Sequence, residues 1–108
     1  MSLREMTPTE LQQWLEQAET PPLMLDVREG HEFRFCHIRG SLHIPMNEIP
    51  VRLSELDRAR EIVVLCHHGV RSRMVADYLC SQRYEQVINL SGGIEAWART
   101  VDPAMPRY

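Results

Sequence analysis

Cysteine is scarce in this 108-residue chain: Cys36, Cys66 and Cys80 are an odd number with no paired spacing. A disulfide framework is therefore not expected, and a reducing compartment suits the chain better. No stretch approaches the ~20 apolar residues that a membrane-spanning helix needs. Met1–Met6 lacks an apolar run long enough for a secretory leader. From these absences we expect a cytoplasmic location and no membrane attachment. An excess of one charge is missing too. The formal charge is −3 with an isoelectric point near 5.9, so nucleic acid is not an expected partner. There is no internal repeat, low-complexity tract or internal linker. The remaining composition, 44% hydrophobic and 25% charged, is that of an ordinary globular protein. A chain of this length can build a core without disulfide or metal support. We expect one domain over residues 1–108, with 101–108 an irregular tail containing Pro103 and Pro106, and no cofactor.

Local patterns divide the chain into alternating elements. Thr7-Pro8-Thr9-Glu10 offers a capping threonine, a proline at the first helical position and a glutamate three residues after the cap. Leu11, Trp14, Leu15 and Ala18 then share a helical face, and Pro21-Pro22 stops the helix. Leu23–Val27 reads as a short apolar strand. Residues 28–45 read as loop with a short helix, and Asn47 as the cap of another helix bearing Ile49, Leu53 and Leu56. Glu61–Leu65 is a continuous apolar run, the pattern of a strand covered on both faces. A helix is expected from Ser72 through Cys80, a strand over Val87–Leu90, and a short helix carrying Ile94 and Trp97 after Gly92-Gly93. Such alternation implies an α/β fold whose mainly parallel sheet is flanked by helices on both faces. Sites in such folds lie at the carboxyl ends of strands.

Cys66-His67-His68-Gly69-Val70-Arg71-Ser72 occupies that place, between the apolar strand and the following helix. A loop wrapped there turns backbone N–H groups inward, and the helix N-terminus adds partial positive charge, so an anion is favoured at its centre. If that anion is the Cys66 sulfur, the cysteine is a nucleophilic thiolate. Gly69 supplies the backbone freedom of a tight loop. Arg71 can hold an anionic substrate by a two-pronged contact. The opposing reading is a buried, inert cysteine at the end of a strand.

This loop resembles the active-site loop of single-domain rhodanese sulfurtransferases. Leu25-Asp26-Val27-Arg28-Glu29, the segment His37–Pro45 and the segment Leu90–Trp97 resemble three further signatures of that family, in the same order. The resemblance implies a five-stranded parallel sheet and a catalytic cysteine, Cys66. That cysteine would take sulfane sulfur from a small donor such as thiosulfate or a persulfide and pass it to cyanide or a thiol. A protein thiol or persulfide is a further partner class. By position, the backbone of residues 67–71 would cradle the persulfide, with His67, His68, Gly69, Val70 and Arg71 contacting substrate. Asp26, Arg28 and Ser72 would support the loop. The family usually has glycine where this chain has Cys36, which leaves two readings open: a tolerated small residue, or a thiol that resolves the persulfide by forming a disulfide.

Other chemistries compete with sulfur transfer. Cysteine phosphatases and arsenate reductases place five residues between cysteine and arginine, whereas four separate Cys66 from Arg71; Arg73 leaves some ambiguity. Cys36-His37 with Cys66-His67-His68 supplies metal-ligand types, but adjacent loop residues seldom reach one ion, so no metal is expected. A non-catalytic interaction module of this family would typically have lost the cysteine. His67 and His68 are equally readable as solvated loop residues. His37 and His43 read as satisfied structural histidines, and Trp14, Trp97 and Cys80 as packing.

Overall fold

The computed structural model describes residues 4–108; Met1–Leu3, half of the segment read above for a leader, lie outside the described residues. Strand β1 (Arg4–Met6) is followed by helix α1 (Pro8–Gln17). The expected capping box forms: the Glu10 amide donates to Thr7 Oγ1 at 3.2 Å and the Thr7 amide to Glu10 Oε1 at 2.9 Å. The helix stops at Gln17, short of Pro21-Pro22, because Ala18 is already extended.

The rest of the chain runs through β2 (Leu23–Asp26), α2 (Gly30–Phe35), β3 (Leu42–His43), β4 (Ile62–Leu65), α3 (Val70–Ser81), β5 (Val87–Leu90) and α4 (Gly93–Thr100). The five strands form one sheet in the order β1-β5-β4-β2-β3, with every pair parallel. The α/β class and the sheet flanked by helices agree with the sequence reading. The helix expected after Asn47 is instead two 3-10 segments, Met46–Glu48 and Pro50–Glu55. Asn47 lies inside the first and caps nothing, and Pro50 opens the second. Ile49 and Leu56, which flank the second segment, are buried, and Met46 and Leu53 pack against the same core, whereas Val51 is exposed.

All four residues of β4 are fully buried, and alternate side chains enter two separate cores. Ile62, Val64 and Cys66 join Leu25, Ile49, Val75, Ala76 and Leu79 on the α3 side. Val63 and Leu65 join Leu11, Ile88, Leu90, Ile94 and Trp97 on the α1 and α4 side. The chain leaves β2 toward β3 on one side and β4 toward β5 on the other, so the strand order reverses between β2 and β4. In open α/β sheets that switch point, at the carboxyl ends of the strands, is where ligands bind. Asp26 ends β2 beside Leu65, the last residue of β4, and Cys66 follows Leu65 directly. Among the described residues, no helix is long and apolar enough to cross a membrane.

Candidate active site

Helix α3 begins at Val70, two residues earlier than its apolar periodicity indicates. The loop proper is therefore only Cys66 to Gly69, and Arg71 and Ser72 belong to the first helical turn. Gly69 turns the chain with φ +102°, a conformation that disfavours side chains. The consequence is at the sulfur. Cys66 is 1% exposed, and its Sγ accepts from the Gly69 amide at 3.2 Å and the Ser72 amide at 3.3 Å. The Ser72 N–H is one of the unpaired donors that every helix N-terminus offers. The donor set thus extends one residue past the expected 67–71 stretch. Ser72, expected only as support, touches the sulfur through its backbone.

The loop is braced on both sides. Ser72 Oγ donates to Asn89 Oδ1 at 2.6 Å, and Asn89 Nδ2 donates to the Gly69 carbonyl at 3.2 Å and to Glu5 Oε1 at 3.1 Å. From the other side, the first amides of α4 reach the loop carbonyls: Ile94 N to Cys66 O at 2.8 Å and Glu95 N to His67 O at 3.1 Å. Gly93 makes this approach possible. A Cβ there would overlap the carbonyls of both Cys66 and His67, and its φ of +62° is left-handed. Gly93→Ala is therefore expected to cost about 2–4 kcal/mol, read as a lowered urea midpoint, by pushing α4 away from the loop.

Asp26 and Arg28 are both fully buried and paired, with Arg28 Nη2 to Asp26 Oδ2 at 2.7 Å and Nε to Oδ1 at 3.0 Å. Burial opposes the Arg28 charge, but the bonds to Asp26 and Tyr108 outweigh it and raise its pKa. Arg28 also donates to the carbonyls of Cys36 (2.7 Å) and Glu32 (3.3 Å) and to the Tyr108 hydroxyl (2.8 Å). The pair therefore ties β2 to α2 and to the tail, consistent with a supporting position.

The mouth of the loop differs most from expectation. Arg71 presents its fork to Glu32, with Nη1–Oε1 at 2.7 Å and Nη2–Oε2 at 3.0 Å. The Arg71 bonds hold the Glu32 carboxyl down at about 2, helped by the Glu29 amide and the Tyr108 hydroxyl. Burial pushes the Tyr108 phenol up to about 12, reinforced by its donation to Glu32. His67 stacks on Tyr108 at 3.8 Å and lies against His68 at 3.9 Å. Its Nε2 is buried and unpaired among the described residues. Burial and the neighbouring His68 lower its pKa, which favours the neutral ring. His68 and Val70 face outward, beside a cleft of about 570 Å³ bounded also by Arg73, Asn89 and Gly92.

Cys36 sits in the core on the α1 and α4 side, whereas Cys66 belongs to the opposite one. The structure therefore does not bring the resolving-thiol candidate into the layer of Cys66, nor does it assemble Cys36, His37, Cys66, His67 and His68 as ligands of one ion. Among the described residues, no group of three or more His, Cys, Asp or Glu side chains is arranged to hold a metal. His37 and His43 are structural, as expected: their rings stack on Phe33 and their nitrogens meet the carbonyls of Phe33 and Arg28.

Three residues of this site were not singled out from the sequence. Asn89 carried a usable signal, a polar residue in the middle of the apolar run Val87–Leu90. Glu32 and Tyr108 carried none, since a glutamate in a short helix and a tyrosine in a tail are ordinary surface patterns.

The family model for the rhodanese-like domain matches residues 7–100. The chain belongs to the rhodanese-like family. The match takes in Asp26, Arg28, the Cys66 loop and α4, and leaves Tyr108 outside. A protein named thiosulfate sulfurtransferase GlpE from Haemophilus influenzae is 36% identical over 109 residues, covering 100% of both chains. A protein named sulfurtransferase from Allochromatium vinosum is 43% identical over 77 residues, 71% of this chain and 72% of the other. Among solved structures, a rhodanese-like domain protein from Staphylococcus aureus superposes with a TM-score of 0.84 at 28% identity, covering 98% of this chain and 99% of that one. The rhodanese-like signatures fall on β2, the Cys66 loop and α4, whose first amides bond to the loop carbonyls.

Proposed function

We propose that this chain, acting as a single rhodanese domain, is a sulfurtransferase that carries sulfane sulfur as a persulfide on Cys66. The observation that carries the proposal is the Cys66 sulfur, seated at the floor of a four-residue loop and accepting two amide hydrogen bonds at the N-terminus of α3. Preorganised amides aimed at one atom stabilise negative charge there. In the first half-reaction the Cys66 thiolate attacks the outer sulfur of thiosulfate or a persulfide. The donor's S–S bond breaks, and its electron pair leaves on sulfite or on a thiolate. In the second half-reaction cyanide or a thiol, including a protein thiol, attacks the outer sulfur, and Cys66 leaves again as the thiolate. The same amides serve the anion at both ends of the cycle, and no cofactor is needed. Amides of the 67–72 stretch, those of Gly69 and Ser72 among them, cradle the added sulfur, while His67, His68, Val70 and Arg71 border its entrance. Asp26, Arg28 and Ser72 hold the frame.

Phosphoryl transfer is the competing use of such a thiolate. With four residues between Cys66 and Arg71, and Arg71 already bonded to Glu32, the loop has little to offer a tetrahedral phosphate. The test is a paired assay. Thiosulfate:cyanide sulfur transfer should be measurable, with no comparable hydrolysis of an aryl phosphate. Robust phosphatase turnover that disappears in Cys66→Ser would reverse the assignment.

A further inference from the structure

Arg71 is a cation in the first turn of α3, next to Ser72, whose amide bonds to Cys66 Sγ. Yet both terminal nitrogens of its guanidinium are committed to Glu32. Glu32 is 9% exposed and is fixed from two further directions. The Glu29 amide donates to its Oε1 at 3.0 Å, and the Tyr108 hydroxyl donates to its Oε2 at 2.9 Å. Tyr108 accepts in turn from Arg28, which is buried against Asp26. A continuous polar chain, Asp26–Arg28–Tyr108–Glu32–Arg71, thus runs from the end of β2 to the first turn of α3.

We propose that Glu32, held in place by Tyr108, is a specificity-determining residue that screens Arg71 from the donor. The site then favours persulfides, R–S–SH, with no second anionic group beside the reacting sulfur, over sulfonate donors such as thiosulfate. The inference rests on the Cys66 persulfide reading above. Glu32 already offsets the charge behind the remaining Arg71 N–H donors, and a sulfonate can take the Nη1–Nη2 fork itself only by displacing a Glu32 oxygen. That would leave a nearly buried carboxylate short of a partner and facing another anion, and both penalties are large for charged groups. An uncharged persulfide makes no such demand. The sulfur delivered is the same in either case. Thiosulfate leaves sulfite after Cys66 attacks its outer sulfur. A persulfide leaves RS⁻, which takes the proton from Cys66–S–SH to give Cys66–S–S⁻ and RSH. No external oxidant or reductant is consumed.

The test compares kcat/KM for thiosulfate with that for a short uncharged alkyl persulfide, alongside intact-mass measurement of sulfur on Cys66. Glu32→Gln should raise the thiosulfate-to-persulfide ratio about tenfold, mainly through a lower KM for thiosulfate, because the repelling charge is gone and Arg71 is released. Tyr108→Phe keeps the ring on His67 but removes the hydroxyl that holds Glu32. It should raise the ratio roughly threefold, and it carries the test if Glu32→Gln does not fold. Adding Arg71→Ala to Glu32→Gln should abolish the gain. A ratio that stays level or falls in the folded single variants, or a gain that survives loss of Arg71, overturns the screening proposal while sulfur still arrives on Cys66. If the unaltered protein gains no sulfur from either donor, the parent reading fails, and the screening proposal with it.

Discussion

Cys66→Ser is expected to lower kcat/KM for sulfur transfer by about three orders of magnitude or more, with the fold intact. The substitution changes one atom. The serine oxygen occupies nearly the same place and can still accept from the Gly69 and Ser72 amides, so the braces through Asn89 and α4 have no reason to move. What is lost is the thiolate, and with it any means of forming an S–S bond to the incoming sulfur. Two controls check that the loss is chemical. The thermal midpoint should stay within a few degrees of the parent, since little packing changes. Donor and acceptor assayed separately should also fail, because both half-reactions pass through the same sulfur. Activity within tenfold of the parent would mean that another group carries the sulfur.

Arg28→Ala has the largest expected effect on stability. Arg28 and Asp26 are each 0% exposed, and removing the arginine strands a buried carboxylate at the end of β2. Breaking a buried pair from one side costs about 3–5 kcal/mol. The carbonyls of Cys36 and Glu32 and the Tyr108 hydroxyl lose their donor as well. Against a typical total stability of about 5–15 kcal/mol, that loss is severe. A fall in Tm of roughly 15–30 °C is expected. The double variant Asp26→Asn, Arg28→Met should recover part of it, because neither partner is then left charged. Equal damage in single and double variants would show that packing volume, and not the stranded charge, sets the cost.

The apolar periodicities that placed β2, β4, β5, α1 and α4 worked because those elements bury a face in one of two dense cores. The two strands they missed, β1 and β3, are the sheet's edges. Arg4-Glu5-Met6 has two charged residues out of three, and Leu42–His43 is only two residues long, so neither has an apolar pattern to read. Both exist because the sheet supplies hydrogen-bonding partners, and only the family resemblance implied five strands. The start of α3 was placed late for a related reason. Val70 and Arg71 face outward or toward α2, and the helical apolar stripe begins after them. That two-residue difference moves Ser72 from behind the loop onto the sulfur.

The catalytic candidate was legible from chemistry that is local in sequence: an apolar strand, a cysteine, a glycine and a helix start. The mouth of the site was not, because its contacts are long-range. Glu32 and Arg71 are 39 residues apart, and Tyr108 reaches back 76 residues to Glu32. No spacing rule links a tail tyrosine to a glutamate in a six-residue helix. The sequence reading of Arg71 as a free fork for an anion failed to anticipate that Glu32 already occupies it.

The most direct test of the account is the intact mass of the protein after brief exposure to an alkyl persulfide or to thiosulfate, followed by cyanide. The unaltered chain should gain the mass of one sulfur atom, lose it on cyanide treatment with release of thiocyanate, and show the added atom on Cys66 by peptide mapping. Cys36→Ser and Cys80→Ser should gain it equally. A Cys66→Ser protein that acquires the same cyanide-labile sulfur, or an unaltered protein that acquires none from either donor, would contradict the account.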